Sequence, residues 1–126
     1  MTQNILGTWE LARFEITAND GSVKNWGPNP RGQLIYTDDG HMSVAINRDP
    51  QPADSEAQSI LNSILFYAGT YAVDGDIIRH KVTLASNPER VGREMIRYAE
   101  FHGAEIHLMT PKESYGIANL VWRRVQ

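Results

Sequence analysis

The chain is 126 residues long, 41% of them hydrophobic, with 12 basic and 15 acidic residues for a formal charge of −3. At that length roughly two thirds of the unfolded surface can be buried, so a core needs no disulfide or metal staple. The charge balance lacks the basic excess of a nucleic-acid footprint, and the lack of cysteine excludes thiol catalysis, thiolate metal sites and disulfide frameworks. No stretch approaches the ~18 consecutive apolar residues of a membrane span, and the amino terminus shows no basic region or signal-length apolar run. The expectation is one cytoplasmic domain over residues 1–126 with no nucleic-acid and no membrane partner.

Leu6 to Ile16 reads as an opening strand. Its inward face is ambiguous, because Trp9 and Leu11 compete with Phe14 and Ile16, and a β-bulge would reconcile them. The run from Trp26 to Gly32 holds two glycines and two prolines and reads as an irregular connection. A hairpin follows: Gly32 to Thr37, the turn Asp38-Asp39-Gly40, then His41 to Ile46. It pairs Tyr36 with Met42 and Leu34 with Val44 on one face, and sends Gln33, Ile35, Thr37, His41 and Ser43 to the other.

Asn47 to Ala53 carries Pro50 and Pro52 without an apolar pattern and reads as a loop. From about Asp54 to Phe66 the spacing predicts the one short helix. Ser55-Glu56-Ala57-Gln58 fits a capping box, and Ile60, Leu61, Ile64 and Leu65 form an apolar stripe. It could serve as a lid over an open barrel end or as a plug that completes the core.

Tyr67 to Val73, the turn Asp74-Gly75 and Asp76 to Leu84 form a second hairpin. A two-residue turn there pairs Tyr71 with Ile78, Gly69 with His80 and Tyr67 with Val82, leaving Ile77, Arg79, Lys81 and Thr83 on a solvated face. His80 then points to the apolar side, opposite a glycine that leaves it room. The third hairpin runs from Arg93 to Phe101, turns through Gly103-Ala104 and returns from Ile106 to Thr110. It sets Phe101 against Ile106, Ala99 against Leu108 and Glu100 against His107, and turns Arg97 inward beside Met95. Ile117 to Val125 closes the chain as a strand on which Leu120 and Trp122 compete with Val121 and Val125 for the inner face. Eight sequential strands remove their edges by closing into an up-and-down antiparallel β-barrel, an all-β fold wide enough to hold one small ligand.

Gly7-Thr8-Trp9 on the first strand, with Arg123 or Arg124 on the last, resembles the lipocalin signature, in which an arginine packs over the tryptophan ring and closes one barrel end. The chain resembles more specifically the small bacterial and fungal lipocalin-like domain family. The blocks that carry the likeness are Leu6 to Leu11, Gly32 to Val44, Tyr67 to Asp76, Asn87-Pro88-Glu89-Arg90-Val91-Gly92 and Leu120-Val121-Trp122. The resemblance implies a calycin-type barrel and, for most members, no established activity. Many members have a second histidine after the one matching His80, where this chain has Lys81.

The hairpin registers direct Tyr67, Tyr71, His80 and Arg97 inward. With Leu34, Tyr36, Met42, Val44, Gly69, Ile78 and Met95 they make up the expected ligand site, an apolar cavity with a few convergent polar groups. His80 could donate or accept a proton near neutral pH, with a tyrosine hydroxyl as partner. An inward arginine needs an acid or a bound anion, and Glu15 is the first acid to consider for Arg97. Arg90, Arg93, Arg123 and Arg124 are interleaved with Glu89, Glu94 and Glu100 and read as a solvated mixed-charge face. His102 and His107 differ in strand parity and are expected to face opposite ways, so no metal site is expected. Neither a Gly-x-Gly-x-x-Gly nor a Lys-Ser/Thr phosphate loop occurs, nor a Gly-x-Ser-x-Gly elbow, and no cofactor is expected.

The leading expectation is binding of a small, mainly apolar molecule, aromatic or polyketide-like. A cofactor-independent isomerase, cyclase or lyase is the alternative, with His80 as acid/base and Tyr67, Tyr71 and Arg97 holding an oxyanion. A third reading is a structural module whose barrel is filled by its own side chains. A homodimer is compatible with each.

Overall fold

The computed structural model describes residues 4–26, 29–48, 64–114 and 116–125. Its strands are β1 (Gly7–Thr17), β2 (Val23–Asn25), β3 (Pro30–Tyr36), β4 (His41–Arg48), β5 (Ile64–Asp74), β6 (Ile77–Ala85), β7 (Glu94–His102), β8 (Glu105–Met109) and β9 (Ile117–Arg124). Each pairs with its neighbour in one antiparallel sheet, and β9 returns to β1 and closes it. Short β2 pairs only with the far end of β1, so the barrel wall itself has eight strands, as the sequence predicts. The expected helix lies largely outside the described residues. Its last turn is overturned: residues 64–66 pair as strand β5 with Ala45, Ile46 and Asn47 of β4.

The first and third hairpins have the expected registers, with Leu34 opposite Val44, Tyr36 opposite Met42 and Phe101 opposite Ile106. The second is displaced by two residues. Gly75 and Asp76 form its tight turn, with Gly75 at φ 62°, so Tyr71 pairs with His80 and Gly69 with Val82. A shift of two keeps every side chain on its face, and Tyr67, Ile78, His80 and Val82 are all buried. Beyond a bulge at Ala68/Gly69 the alternation on β6 reverses, leaving Leu84 exposed while Ala85 packs on the core. Gly69 sits at that bulge, where a Cβ would collide with the Lys81 carbonyl oxygen. The glycine therefore admits the partner backbone rather than leaving room beside His80.

A bulge between Leu11 and Arg13 resolves the conflict in β1. It brings Trp9, Phe14 and Ile16 onto the core side together, and Ala118, Leu120 and Trp122 of β9 face the same core.

At the end holding the tight turns, Trp9 is 1% exposed, and its indole N–H donates to the Ile5 carbonyl at 2.9 Å. The Arg124 guanidinium lies 4.1 Å from the Trp9 ring centre and donates to the Leu6 carbonyl at 2.7 Å. Arg124 therefore closes this end, while Arg123 pairs with Glu105 on the outer wall at 3.1 Å.

Two further expectations are corrected. His102 and His107 share the outer face, their ring centres 4.4 Å apart, because the two-residue turn pairs His102 with Glu105 and so puts even positions of β7 beside odd positions of β8. Glu15 pairs with Arg13 at 3.7 Å instead of reaching Arg97. Among the described residues no group of three or more histidines and carboxylates is placed to hold a metal.

Candidate functional site

The end opposite Trp9 holds a cavity of about 250 Å³. Its wall is mainly apolar: Phe14 and Ile16 from β1, Leu34, Val44, Ile46 and Leu65 from the adjoining strands, and Leu108, Ala118, Leu120 and Trp122 from the last two. Trp26 stacks on Phe14 at 4.9 Å between ring centres and adds an aromatic wall. The polar residues on the wall are Tyr67, His80, Arg90, Arg97 and Thr110. The Thr110 hydroxyl oxygen already accepts from the Ala118 amide at 2.9 Å.

The alternation of β5 and β6 brings Tyr67 and His80 onto the same inner face, and β3 supplies Tyr36. His80 is 1% exposed, and each of its ring nitrogens meets a phenol: Nε2 lies 2.6 Å from the Tyr36 hydroxyl and Nδ1 lies 2.7 Å from the Tyr67 hydroxyl. Burial, reinforced by the nearby Arg97 charge, pulls the His80 pKa down to about 3. Burial likewise pushes both phenols up, Tyr36 the further, with Arg97 opposing the rise at each. At neutral pH the three groups form an uncharged hydrogen-bonded chain.

Arg97 is half-buried on the inner face of β7 and donates to the Ile96 carbonyl at 2.8 Å. Its guanidinium also acts on Tyr67 through its charge. Arg90 is a correction to the solvated face expected for it. It ends the 3₁₀ turn Pro88–Arg90, which Asn87 caps by accepting from the Glu89 amide at 3.1 Å, and it lines the cavity with its guanidinium 6.0 Å from the Tyr67 ring centre.

Five of the expected site residues thus line the cavity: Leu34, Val44, Tyr67, His80 and Arg97. Six do not. Tyr36 is buried behind His80; Met42 and Ile78 pack in the core toward the closed end, and Met95 packs beside His80. Tyr71 packs its ring edge-on against Tyr36 at 4.8 Å and donates its hydroxyl to the Thr37 carbonyl at 2.7 Å, so it does not reach the cavity. Gly69 borders a wider groove of about 370 Å³ on the outer surface, where Ala68, Thr70, Thr83 and Leu84 gather without convergent charged groups. The sequence reading missed Phe14, Ile16, Trp26, Ile46, Leu65, Arg90, Leu108, Thr110, Ala118, Leu120 and Trp122 as lining residues. The bulge signal in β1 could have found Phe14 and Ile16; nothing in strand periodicity points to Trp26 or Arg90, which lie outside the strands.

The profile of the lipocalin-like domain family matches residues 6–125. No curated protein matches the chain. Among solved structures it is similar to a lipocalin-like protein from Bacteroides uniformis, with 15% identity, 96% of this chain and 98% of that chain covered, and a TM-score of 0.53. It is also similar to a redesigned β-barrel, at 10% identity, 97% and 92% coverage and a TM-score of 0.49. A mutant of the fluorescent protein UnaG aligns at 13% identity, 97% and 96% coverage and a TM-score of 0.46. At 15% identity the likeness to the Bacteroides uniformis protein is one of fold alone. The profile match spans nearly the whole chain, and the Trp9–Arg124 closure stands where the lipocalin signature requires it: the chain belongs to the lipocalin-like domain family.

Proposed function

We propose that the protein binds one small, mainly apolar molecule in the cavity at the open end of its barrel. The observation that carries this reading is the cavity itself: about 250 Å³ of space walled by Phe14, Leu34, Val44, Leu120 and Trp122, with polar groups gathered on one side. Apolar walls supply affinity through desolvation, and a few placed polar groups fix orientation. The volume lies just below the ~300–1,000 Å³ typical of ligand pockets, which favours a compact molecule. A barrel filled by its own side chains would have no such space.

The catalytic alternative gives His80 the acid/base role. A general base works best with a pKa near the operating pH, whereas burial and Arg97 hold His80 near 3 with a phenol on each nitrogen. Tyr71 is turned away to Thr37. Both features weigh toward binding.

The test is titration with N-phenyl-1-naphthylamine, a neutral apolar fluorophore, against the parent and Ala118→Phe. Ala118 is a small residue on the cavity wall, so a phenyl group there fills the space from within. Saturable binding by the parent and at least about tenfold weaker binding by the folded variant are expected, since ~1.4 kcal/mol of lost contact gives that factor. Equal binding by both would place the probe elsewhere and overturn the reading.

A further inference from the structure

The polar side of the cavity offers hydrogen-bond donors and positive charge. Tyr36 is fully buried, and among the described residues the one partner of its hydroxyl is His80 Nε2. If Nε2 carried the imidazole proton, Tyr36 would accept it and its own O–H would be left buried without an acceptor, the costly arrangement. The satisfied arrangement runs the other way. Tyr36 donates to Nε2, Nδ1–H donates to the Tyr67 oxygen, and the Tyr67 proton remains free to donate. Tyr67 lines the cavity, and in this arrangement its O–H meets no acceptor among the described residues. The hydrogen bond its oxygen accepts from His80, with the positive charge of Arg97 nearby, polarises that O–H further.

Beside it stands Arg97, with one N–H on the Ile96 carbonyl and others remaining, and Arg90 lies over the same ring. Among the described residues the cavity wall holds these two arginines and no carboxylate, and neither arginine forms an ion pair. A half-buried guanidinium in an apolar cavity gains most from an anionic partner.

We infer that the bound molecule is an apolar monoanion whose oxyanion group, such as a carboxylate, sits against the Tyr67 hydroxyl and the Arg97 guanidinium. This rests on the binding reading above and adds the chemistry of the ligand's head. Tyr36 and His80 act as positioning residues, setting the direction of the Tyr67 proton.

A matched pair of probes separates charge from apolar bulk. 8-Anilinonaphthalene-1-sulfonate has the aromatic body of N-phenyl-1-naphthylamine plus one anionic group. The parent is expected to bind the sulfonate at least tenfold more tightly than the neutral probe. Arg97→Met should weaken the sulfonate about 10–100-fold while changing the neutral probe less than threefold, and Arg97→Lys should restore part of the difference. Tyr67→Phe should weaken the sulfonate about five- to tenfold, which keeps the test available if Arg97→Met does not fold. Equal affinity of the parent for both probes, or equal losses of both in Arg97→Met, would overturn the anion assignment and leave the binding reading standing. Sulfonate binding that persists in folded Ala118→Phe would be surface binding and would also overturn it. Binding of neither probe by the parent would remove both readings together.

Discussion

The two ends of this barrel are built from the same strands and differ in how their inward side chains are used. At the closed end, Trp9 is packed on all sides, hydrogen-bonded to Ile5 and covered by Arg124. At the open end, Leu34, Val44 and Leu120 face unfilled space, and Tyr67 and Arg97 offer donors to it. Between them the Tyr36–His80–Tyr67 chain forms a polar floor. The comparison teaches that an inward position is stabilising where partners surround it and becomes available for binding where they stop.

The largest expected effect is at the closed end. Trp9→Ala should destabilise by ~3–5 kcal/mol, while Leu120→Ala, whose side chain already borders a void, should fall near the ~2 kcal/mol lower limit for such truncations. Denaturant midpoints measure both, and equal losses would erase the distinction between the ends.

The floor is tested by pH. His80 titrates near 3 in the fold, against ~6.5 in an unfolded chain. Below pH ~6.5 the unfolded chain takes up a proton that the folded protein refuses. Stability from this source is therefore complete above ~6.5 and declines as the pH falls toward 3, by at most ~1.4 kcal/mol per unit. Between pH 6.5 and 4.5 the parent should lose ~2–3 kcal/mol more than His80→Gln, a difference in which the contribution of His107, also lowered, cancels. Parallel stability curves would mean that His80 is not held neutral.

Gly69→Ala sharpens the boundary between inside and outside. Its Cβ would meet the Lys81 carbonyl, so a loss of ~1–3 kcal/mol is expected with probe binding retained. Lost probe binding with unchanged stability would put Gly69 on the cavity after all. The smallest effect separates the two phenols. Each change strands one His80 ring nitrogen: Tyr36→Phe does so within the core and should cost ~1–3 kcal/mol, whereas Tyr67→Phe does so beside the cavity, where solvent can replace the phenol, and should cost ~0.5–1.5 kcal/mol. Thermal denaturation of the two variants ranks them, and the reverse order would contradict the placement of Tyr36 in the core and Tyr67 on the cavity wall.

Much of this was legible in the sequence because strand alternation and turn chemistry set faces independently of fine register. The second hairpin was displaced by two residues, and Tyr67 and His80 still face inward together. Alternation says whether a side chain points in, but not how far along the barrel axis it lies. Leu34 and Tyr36 share a face of β3, yet only Leu34 lines the cavity. The same blindness put Met42, Tyr71 and Ile78 into the expected site. Bulges are a second limit: the one in β1 was readable from clashing apolar pairs, whereas the one at Gly69 looked like space. Arg90 and Trp26 show the third, since neither is on a strand and periodicity says nothing of them.

The most direct measurement is a backbone amide NMR titration of the uniformly ¹⁵N-labelled protein with N-phenyl-1-naphthylamine. Ring-current shifts should concentrate at Val44, Tyr67, Leu108 and Leu120 around the open end, with Trp9 and Ile106 at the closed end nearly unchanged. Shifts centred on Trp9, or on Ala68, Thr83 and Leu84 along the outer groove, would contradict the account.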